Sequence, residues 1–342
     1  MFKFTKIFSI VILSQKEILS QLFALKTEQE FNDLAIKVFY FQFKNNEIYN
    51  QYLSALAINI NNIKHYTQIP CLPISFFKSQ KVICQPIDHN TICFTSSGTT
   101  GQITSKHYVN DVAVYETSFN KGFELFYGKP SDYCILALLP NYLQREGSSL
   151  VYMFDQLIKQ SKHPDSGFYL DNMNELAAKI QQLKQRKQKT LLLGVTYALL
   201  DLADLNIELG DNFLVMETGG MKGKRPEMLK EQLHATLKEK FKVNAIHSEY
   251  GMTELLSQAY SKNGGLFACP PWMKVLVRDV NDPFSYSFNK KTGGINVIDL
   301  ANTNSCSFIE TKDLGRIYDN DIFEIIGRFD NSDIRGCNLM IQ

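Results

Sequence analysis

The residues best suited to chemistry begin with Ser96-Ser97-Gly98-Thr99-Thr100-Gly101, which sets four hydroxyls and two glycines in one short loop after Thr95. Glycine lets the backbone approach an anion closely, and consecutive N–H groups form a concave nest for it. No carboxylate lies between His89 and Asn110, so nothing local repels a phosphate, and Lys106 is the one fixed cation there. The order does not match GxxxxGK[ST], which argues against an ordinary P-loop ATPase. A second glycine loop, Glu217-Thr218-Gly219-Gly220-Met221-Lys222-Gly223-Lys224-Arg225, precedes Pro226, a residue suited to the first position of a helix. Strand, glycine loop and helix N-terminus together make the geometry in which open α/β sheets hold nucleotides. Lys222 reads equally as a ligand or as part of a solvated turn, whereas Lys224 and Arg225 read as surface.

Two later segments extend the pattern. His247-Ser248-Glu249-Tyr250-Gly251-Met252-Thr253-Glu254 follows the strand candidate Val243–Ile246. Glu254 could hold Mg²⁺, which typically takes one or two carboxylates plus phosphate oxygens. Tyr250 could stack on a base. Taken singly, a surface glutamate and a core tyrosine are the plainer readings. Thr311-Lys312-Asp313-Leu314-Gly315-Arg316 and Gly327-Arg328-Phe329-Asp330 come near the end. Asp313 could accept hydrogen bonds from two ribose hydroxyls, and Arg328 could neutralise phosphate in a fork that lysine lacks. Alone, these two read as a turn cap and a surface pair.

These segments must be positioned by a scaffold, and the pattern around them is α/β. Residues 16–60 carry apolar residues at helical spacing (Ile18, Leu22, Leu25; Phe31, Leu34, Val38), and the prolines of Ile69–Ile74 end that pattern. Thr91–Phe94 predicts a buried strand running into the hydroxyl loop, and Asn110-Asp111 offers an N-cap to a helix carrying Val112, Tyr115 and Phe119. Strand signals at Tyr133–Leu139, Leu191–Val195 and Phe213–Met216 are each followed by a helical pattern, the first from Ser149. That alternation predicts a largely parallel sheet. After Trp272, short strands and turns predict a β-rich closing subdomain. The expected organisation is a helical lead-in over 1–85, an α/β nucleotide-binding core over 86–270 and a β-rich part over 271–342.

Composition narrows the functional classes. The 342 residues are 44% hydrophobic and 21% charged, as for a folded globular protein, and allow one elaborated domain or two. A formal net charge of +1 argues against a nucleic-acid partner. The apolar stretch Phe8–Leu13 is too short for a membrane span and lacks a cleavage site, so it reads as a buried strand or helix start. Seven scattered cysteines without a CxxC pair argue against a disulfide framework or zinc knuckle and fit a reducing cytoplasm, with most of them buried.

In this order, the four segments resemble the large N-terminal domain of the adenylate-forming enzymes, the superfamily of acyl-CoA synthetases, peptide-synthetase adenylation domains and luciferases. Ser96–Gly101 resembles its phosphate loop, Ser248–Glu254 its adenine-site motif, Thr311–Arg316 its ribose aspartate and Gly327–Gly336 its hinge motif. Within the superfamily, Leu139–Leu150, Gly219–Gly223, Pro270–Lys274 and Arg335-Gly336-Cys337 are most similar to the acyl-protein synthetases, the LuxE type of long-chain-fatty-acid ligase.

The resemblance implies layered sheets with packed helices. It implies ATP and Mg²⁺ as cofactors, a fatty acid converted to acyl-AMP, and transfer to an enzyme cysteine. The matching position is Cys337, which would pass the acyl group to a partner acyl reductase. Arg335 could raise the thiolate fraction of that cysteine. Two departures stand out. Thr104 occupies the place where the family's phosphate loop usually has lysine, and the sequence given stops inside the hinge motif, so the lid domain and its catalytic lysine are expected to be missing. Another cation must then stabilise charge on the α-phosphate, and Lys222, Arg145 and Lys106 are the candidates. Two other readings stay open: a coenzyme A ligase for an aryl or short acid, and a non-catalytic nucleotide- or acyl-binding relative.

Overall fold

A computed structural model of the chain describes residues 14–97, 103–140, 147–221, 224–226, 228–286 and 291–329. The helices, in chain order, are α1 (Gln15–Leu22), α2 (Glu28–Asn45), α3 (Glu47–Ala55), α4 (Phe76–Ser79), α5 (Val112–Tyr127), α6 (Ser149–Ser161), α7 (Met173–Gln185), α8 (Thr196–Ala203) and α9 (Lys230–Phe241). The strands begin with β1 (Leu72–Pro73), β2 (Ile92–Thr95), β3 (Lys106–Val109), β4 (Cys134–Leu138), β5 (Gly167–Phe168), β6 (Thr190–Val195) and β7 (Phe213–Thr218). They continue with β8 (Ile246–Tyr250), β9 (Ala259–Ser261), β10 (Leu266–Phe267), β11 (Met273–Arg278), β12 (Gly293–Asp299), β13 (Phe308–Ile317) and β14 (Phe323–Arg328).

The central sheet runs β5-β4-β6-β7-β8-β9, parallel up to β8, with β9 antiparallel at the edge. Strands β4 and β6 are buried along their whole length, so both faces of the sheet are covered there, and they read as continuous apolar runs. A second sheet, β10-β14-β13-β12-β11, is antiparallel, and the proline-broken segment adds β1 parallel to β13.

The lead-in helices form where the periodicity predicts. Ser14 with Glu17, and Thr27 with Glu30, close capping boxes at α1 and α2, so each serves as a start signal for its helix. Ile18, Leu22, Phe31, Leu34 and Val38 are buried. Buried Gln42 donates to the carbonyls of Asn302 and Thr303 at 3.0 and 2.9 Å, and Asn46 to that of Ser305 at 2.9 Å. Side-chain amides thus tie α2 to the loop after β12. One contiguous core runs from Ile18 to Phe323.

Three local expectations are corrected. The hydroxyl loop does not lead directly into a helix. It joins β2 to β3, which pair antiparallel with Thr95 opposite Lys106, and only Phe94 of β2 is buried. The helix capped by Asp111 follows as α5. Pro226 does not open a helix either, because α9 starts at Lys230 after Leu229. His247–Tyr250 lies within strand β8 instead of after it. Among the described residues, no helix is long and apolar enough to cross a membrane. Cys71, Cys134 and Cys306 are buried, Cys84, Cys93 and Cys269 half-buried, and all six are free thiols.

Candidate active site

The carboxyl ends of β6, β7 and β8 open on one cavity of about 170 Å³, the edge at which parallel α/β sheets bind ligands. Its wall includes Thr95 and Ser97 from the hydroxyl loop, Thr218 and Gly219 from the second glycine loop, and Glu249, Gly251, Met252 and Thr253 from the third motif. Leu139, Pro140, Ser148 and Ser149 from the segment after β4 close another side. Segments far apart in sequence therefore share one wall.

The backbone fixes these loops to each other. Ser96 N–H donates to the Ser105 carbonyl at 3.1 Å, and Ser105 N–H to the Ser96 hydroxyl at 2.9 Å, closing the base of the hydroxyl loop. Thr95 N–H donates to the Gly147 carbonyl at 2.7 Å. Gly147 has φ of +81°, and a Cβ there would sit 3.1 Å from the Thr95 hydroxyl, so glycine suits this approach both in conformation and in space. Gly219 also has positive φ, and its carbonyl accepts from the Thr196 hydroxyl at 3.1 Å.

Glu254 is buried, contrary to the plain surface reading, and stands at the root of the hydroxyl loop, where the Ser105 hydroxyl bonds its carboxyl. Burial raises its pKa, against that hydrogen bond and the charges of Arg328 and Lys78. Behind it, buried His107 places Nδ1 2.8 Å from the Thr253 carbonyl and Nε2 2.9 Å from Asn302 Oδ1. Asn302 Nδ2 donates in turn to the Glu254 carbonyl at 2.8 Å. Burial lowers the His107 pKa to about 4, so the ring is neutral at pH 7. Asp299 accepts from Leu256 N–H, Ser257 N–H and the Ser257 hydroxyl, at 2.7, 2.9 and 2.6 Å, and so fixes the chain just beyond Glu254. His107, Asn302 and Asp299 carry no motif signal of their own. The nearest hint was a histidine directly after Lys106.

The third motif divides between the two faces of β8. Ser248 is fully buried, 3.4 Å from His234 of α9, and does not line the cavity. Tyr250 packs on Phe267 and Phe323, with centroids 5.9 and 5.6 Å away, and its hydroxyl donates to Asp313 Oδ2 at 2.9 Å. Asp313 is not in a turn. It faces Arg328 across β13 and β14, and Arg328 Nε lies 3.1 Å from Oδ1. Burial raises the Asp313 pKa, with Arg328 opposing. Tyr250, Asp313 and Arg328 thus form one cluster, although each read singly as unrelated surface or core.

Glu249, on the cavity face, is 7% exposed and accepts from the Thr218 hydroxyl. Burial pushes its carboxyl up to about 7, with Thr218 opposing and the charge of Glu217 adding. Gly251 leaves room for it, since a Cβ there would lie 2.6 Å from Glu249 Oε1. Gly220 is exposed beside the mouth, and Arg225 pairs with Asp201 and Asp204 at 2.5 and 2.6 Å, so it is a surface residue with partners. Lys106 is exposed. Gly98, Thr99, Thr100, Gly101, Arg145, Lys222 and Cys337 lie outside the described residues.

No family model matches the chain. Among solved structures, an open conformation of 2-hydroxyisobutyryl-CoA ligase, in complex with 2-HIB-AMP and CoA, is similar with a TM-score of 0.66 and 12% identity. That match covers 90% of this chain and 72% of the ligase. ATP-bound MatB from Rhodopseudomonas palustris gives a TM-score of 0.50 at 18% identity, over 69% of this chain and 47% of MatB, so the match spans about half of MatB's length. The fold is that of the adenylate-forming enzymes. In sequence, the chain resembles the long-chain-fatty-acid–luciferin-component ligase of Aliivibrio fischeri, at 22% identity over 345 aligned positions, covering 93% of this chain and 90% of that protein.

Proposed function

We propose that this chain activates a carboxylic acid with ATP, forming an acyl adenylate and pyrophosphate, and then transfers the acyl group to a thiol. The observation that carries the reading is the shared cavity, where the hydroxyl loop, the second glycine loop and the Glu249–Thr253 segment meet at the carboxyl edge of the parallel sheet. Ser96, Ser97, Gly98, Thr99, Thr100 and Gly101 hold the phosphates, with Gly219 and Gly220 opposite. Tyr250–Thr253 form the adenine side, where the Tyr250 ring supplies the stacking face. Asp313 takes the ribose hydroxyls, exchanging its bonds to Tyr250 and Arg328 for them. Mg²⁺ fits Glu254, a buried carboxyl at the loop root. Among the described residues no group of three ligands could cage a metal, so the remaining donors would be phosphate oxygens and water, as Mg²⁺ commonly takes them. The ion's chemistry there is charge neutralisation.

In the first step a carboxylate oxygen of the acid attacks the α-phosphorus, and the bond to pyrophosphate breaks. Lys222 and Arg145 supply positive charge to that transition state, a role in which one well-placed donor is worth about 3 kcal/mol. In the second step the Cys337 thiolate attacks the acyl carbon and AMP leaves, giving a thioester for delivery to an acyl reductase. The similarity to a long-chain-fatty-acid ligase favours a fatty acid as substrate, and the enzyme thiol as acceptor is what the acyl-protein synthetase resemblance implies. Labelled fatty acid with ATP should leave a hydroxylamine-sensitive label on the protein that Cys337→Ser abolishes. A label that survives the substitution sinks the Cys337 assignment, and acyl-CoA formation by the same variant points to coenzyme A as acceptor instead.

A further inference from the structure

The cavity is not uniformly apolar. Tyr115, Leu139, Leu150, Val151, Met153 and Val195 give it hydrophobic surface, but Glu249 and Gln258 line it as well. Both are more than nine-tenths buried, at 7% and 6% exposure. The Thr218 hydroxyl occupies Glu249 Oε2, while among the described residues Oε1 has no hydrogen-bond donor and the Gln258 side-chain amide has no hydrogen-bond partner. Gln258 lies beside Gly251, where a Cβ would be 3.4 Å from its Cγ and 2.6 Å from Glu249 Oε1, so the two polar groups border one small space. Buried polar groups are nearly always paired in folded proteins. Two that are open toward the same cavity point to a ligand that pairs them. An unbranched apolar chain against this surface would strip water from both groups and return nothing.

We propose that Glu249 and Gln258 are specificity-determining residues that select an acid carrying a hydroxyl on its acyl group over the unsubstituted acid. The proposal rests on the acid-activating reading above and names the substrate class for it. The hydroxyl donates to Glu249 Oε1 and accepts from the Gln258 amide, the two free capacities the cavity offers. Its test uses the full chain and acid-dependent exchange of pyrophosphate into ATP, comparing octanoate with 2-, 3- and 8-hydroxyoctanoate, and benzoate with 4-hydroxybenzoate. At least one hydroxy acid should exceed its parent by about tenfold or more in kcat/KM, since sites built to hydrogen-bond a substrate reject the analogue lacking the group. Glu249→Leu and Gln258→Leu should each cut that ratio about tenfold, with Glu249→Gln retaining part of it. The ratio is internal to each variant, so reduced folding yield leaves it readable. Equal exchange with parent and hydroxy acids, or a preference unchanged in both leucine variants, overturns this proposal alone. No exchange with any acid overturns the adenylation reading and this proposal with it.

Discussion

Two buried carboxylates on neighbouring strands meet opposite fates. Glu217 of β7 and Glu249 of β8 are both nearly inaccessible, and β7 and β8 pair so that Glu217 stands opposite Ser248 and Thr218 opposite Glu249. The sheet sends one to each side. Toward α9, burial alone would raise the Glu217 pKa, but Lys230 at 2.8 Å, with His234 and Ser248, holds it at about 2. Toward the cavity, the Thr218 hydroxyl is the one hydrogen bond Glu249 has among the described residues, and burial carries it to about 7 against that bond and the charge of Lys230. Environment, not residue type, sets the charge. The α9 side is a finished ion pair that stabilises the sheet, whereas the cavity side is left chemically open, as a binding site requires.

The largest effect expected is from Lys230→Met, which leaves Glu217 buried without its cation and should cost about 4 kcal/mol at pH 7. Urea unfolding measures it. A loss below about 1 kcal/mol would mean that Glu217 is solvated and the contrast between the faces is false. Glu249 is next. Its folded pKa is raised, so its contribution is fully present below the unfolded value near 4.5 and is lost as pH rises through about 7. Stability of the wild type relative to Glu249→Gln should therefore fall between pH 4.5 and 7, by at most about 1.4 kcal/mol per unit and on the order of 3 kcal/mol in all. A flat difference across that window would show that Glu249 ionises normally. Gly251→Ala puts a methyl 2.6 Å from Glu249 Oε1 and should cost about 1–2 kcal/mol while displacing the carboxyl. A thermal melt of that variant matching the wild type would place the carboxyl elsewhere. Smallest is Tyr250→Phe, which removes the bond to Asp313 at a cost of about 1 kcal/mol. Its ATP KM should change little, since the ring still stacks, and a large rise would make the hydroxyl itself a nucleotide contact.

Much of this arrangement was legible in the sequence because its signals are local. The helical spacing of apolar residues in α1 and α2, the N-cap at Asp111 and the apolar runs of β4 and β6 each announce an element within a few residues. What escaped depends on pairing at a distance. β3 has four residues with one charged end, too short to signal a strand until it pairs with β2, so the hydroxyl loop read as a strand-to-helix turn. Glu254 read as surface because its burial comes from Ser105 and Asn302, distant in sequence. Glu217 and Glu249 differ in charge only through the β7–β8 register and α9, which no local pattern encodes. Asp313 and Arg328 read as a turn cap and a surface pair until the β13–β14 pairing set them face to face.

Exchange of labelled pyrophosphate into ATP, measured with and without carboxylic acids spanning fatty, hydroxylated and aromatic types, tests the central claim most directly. The account predicts exchange that requires both an acid and Mg²⁺ and that falls sharply in Glu254→Gln. ATP binding without exchange, whatever acid is supplied, would contradict it and leave a nucleotide-binding relative that performs no activation.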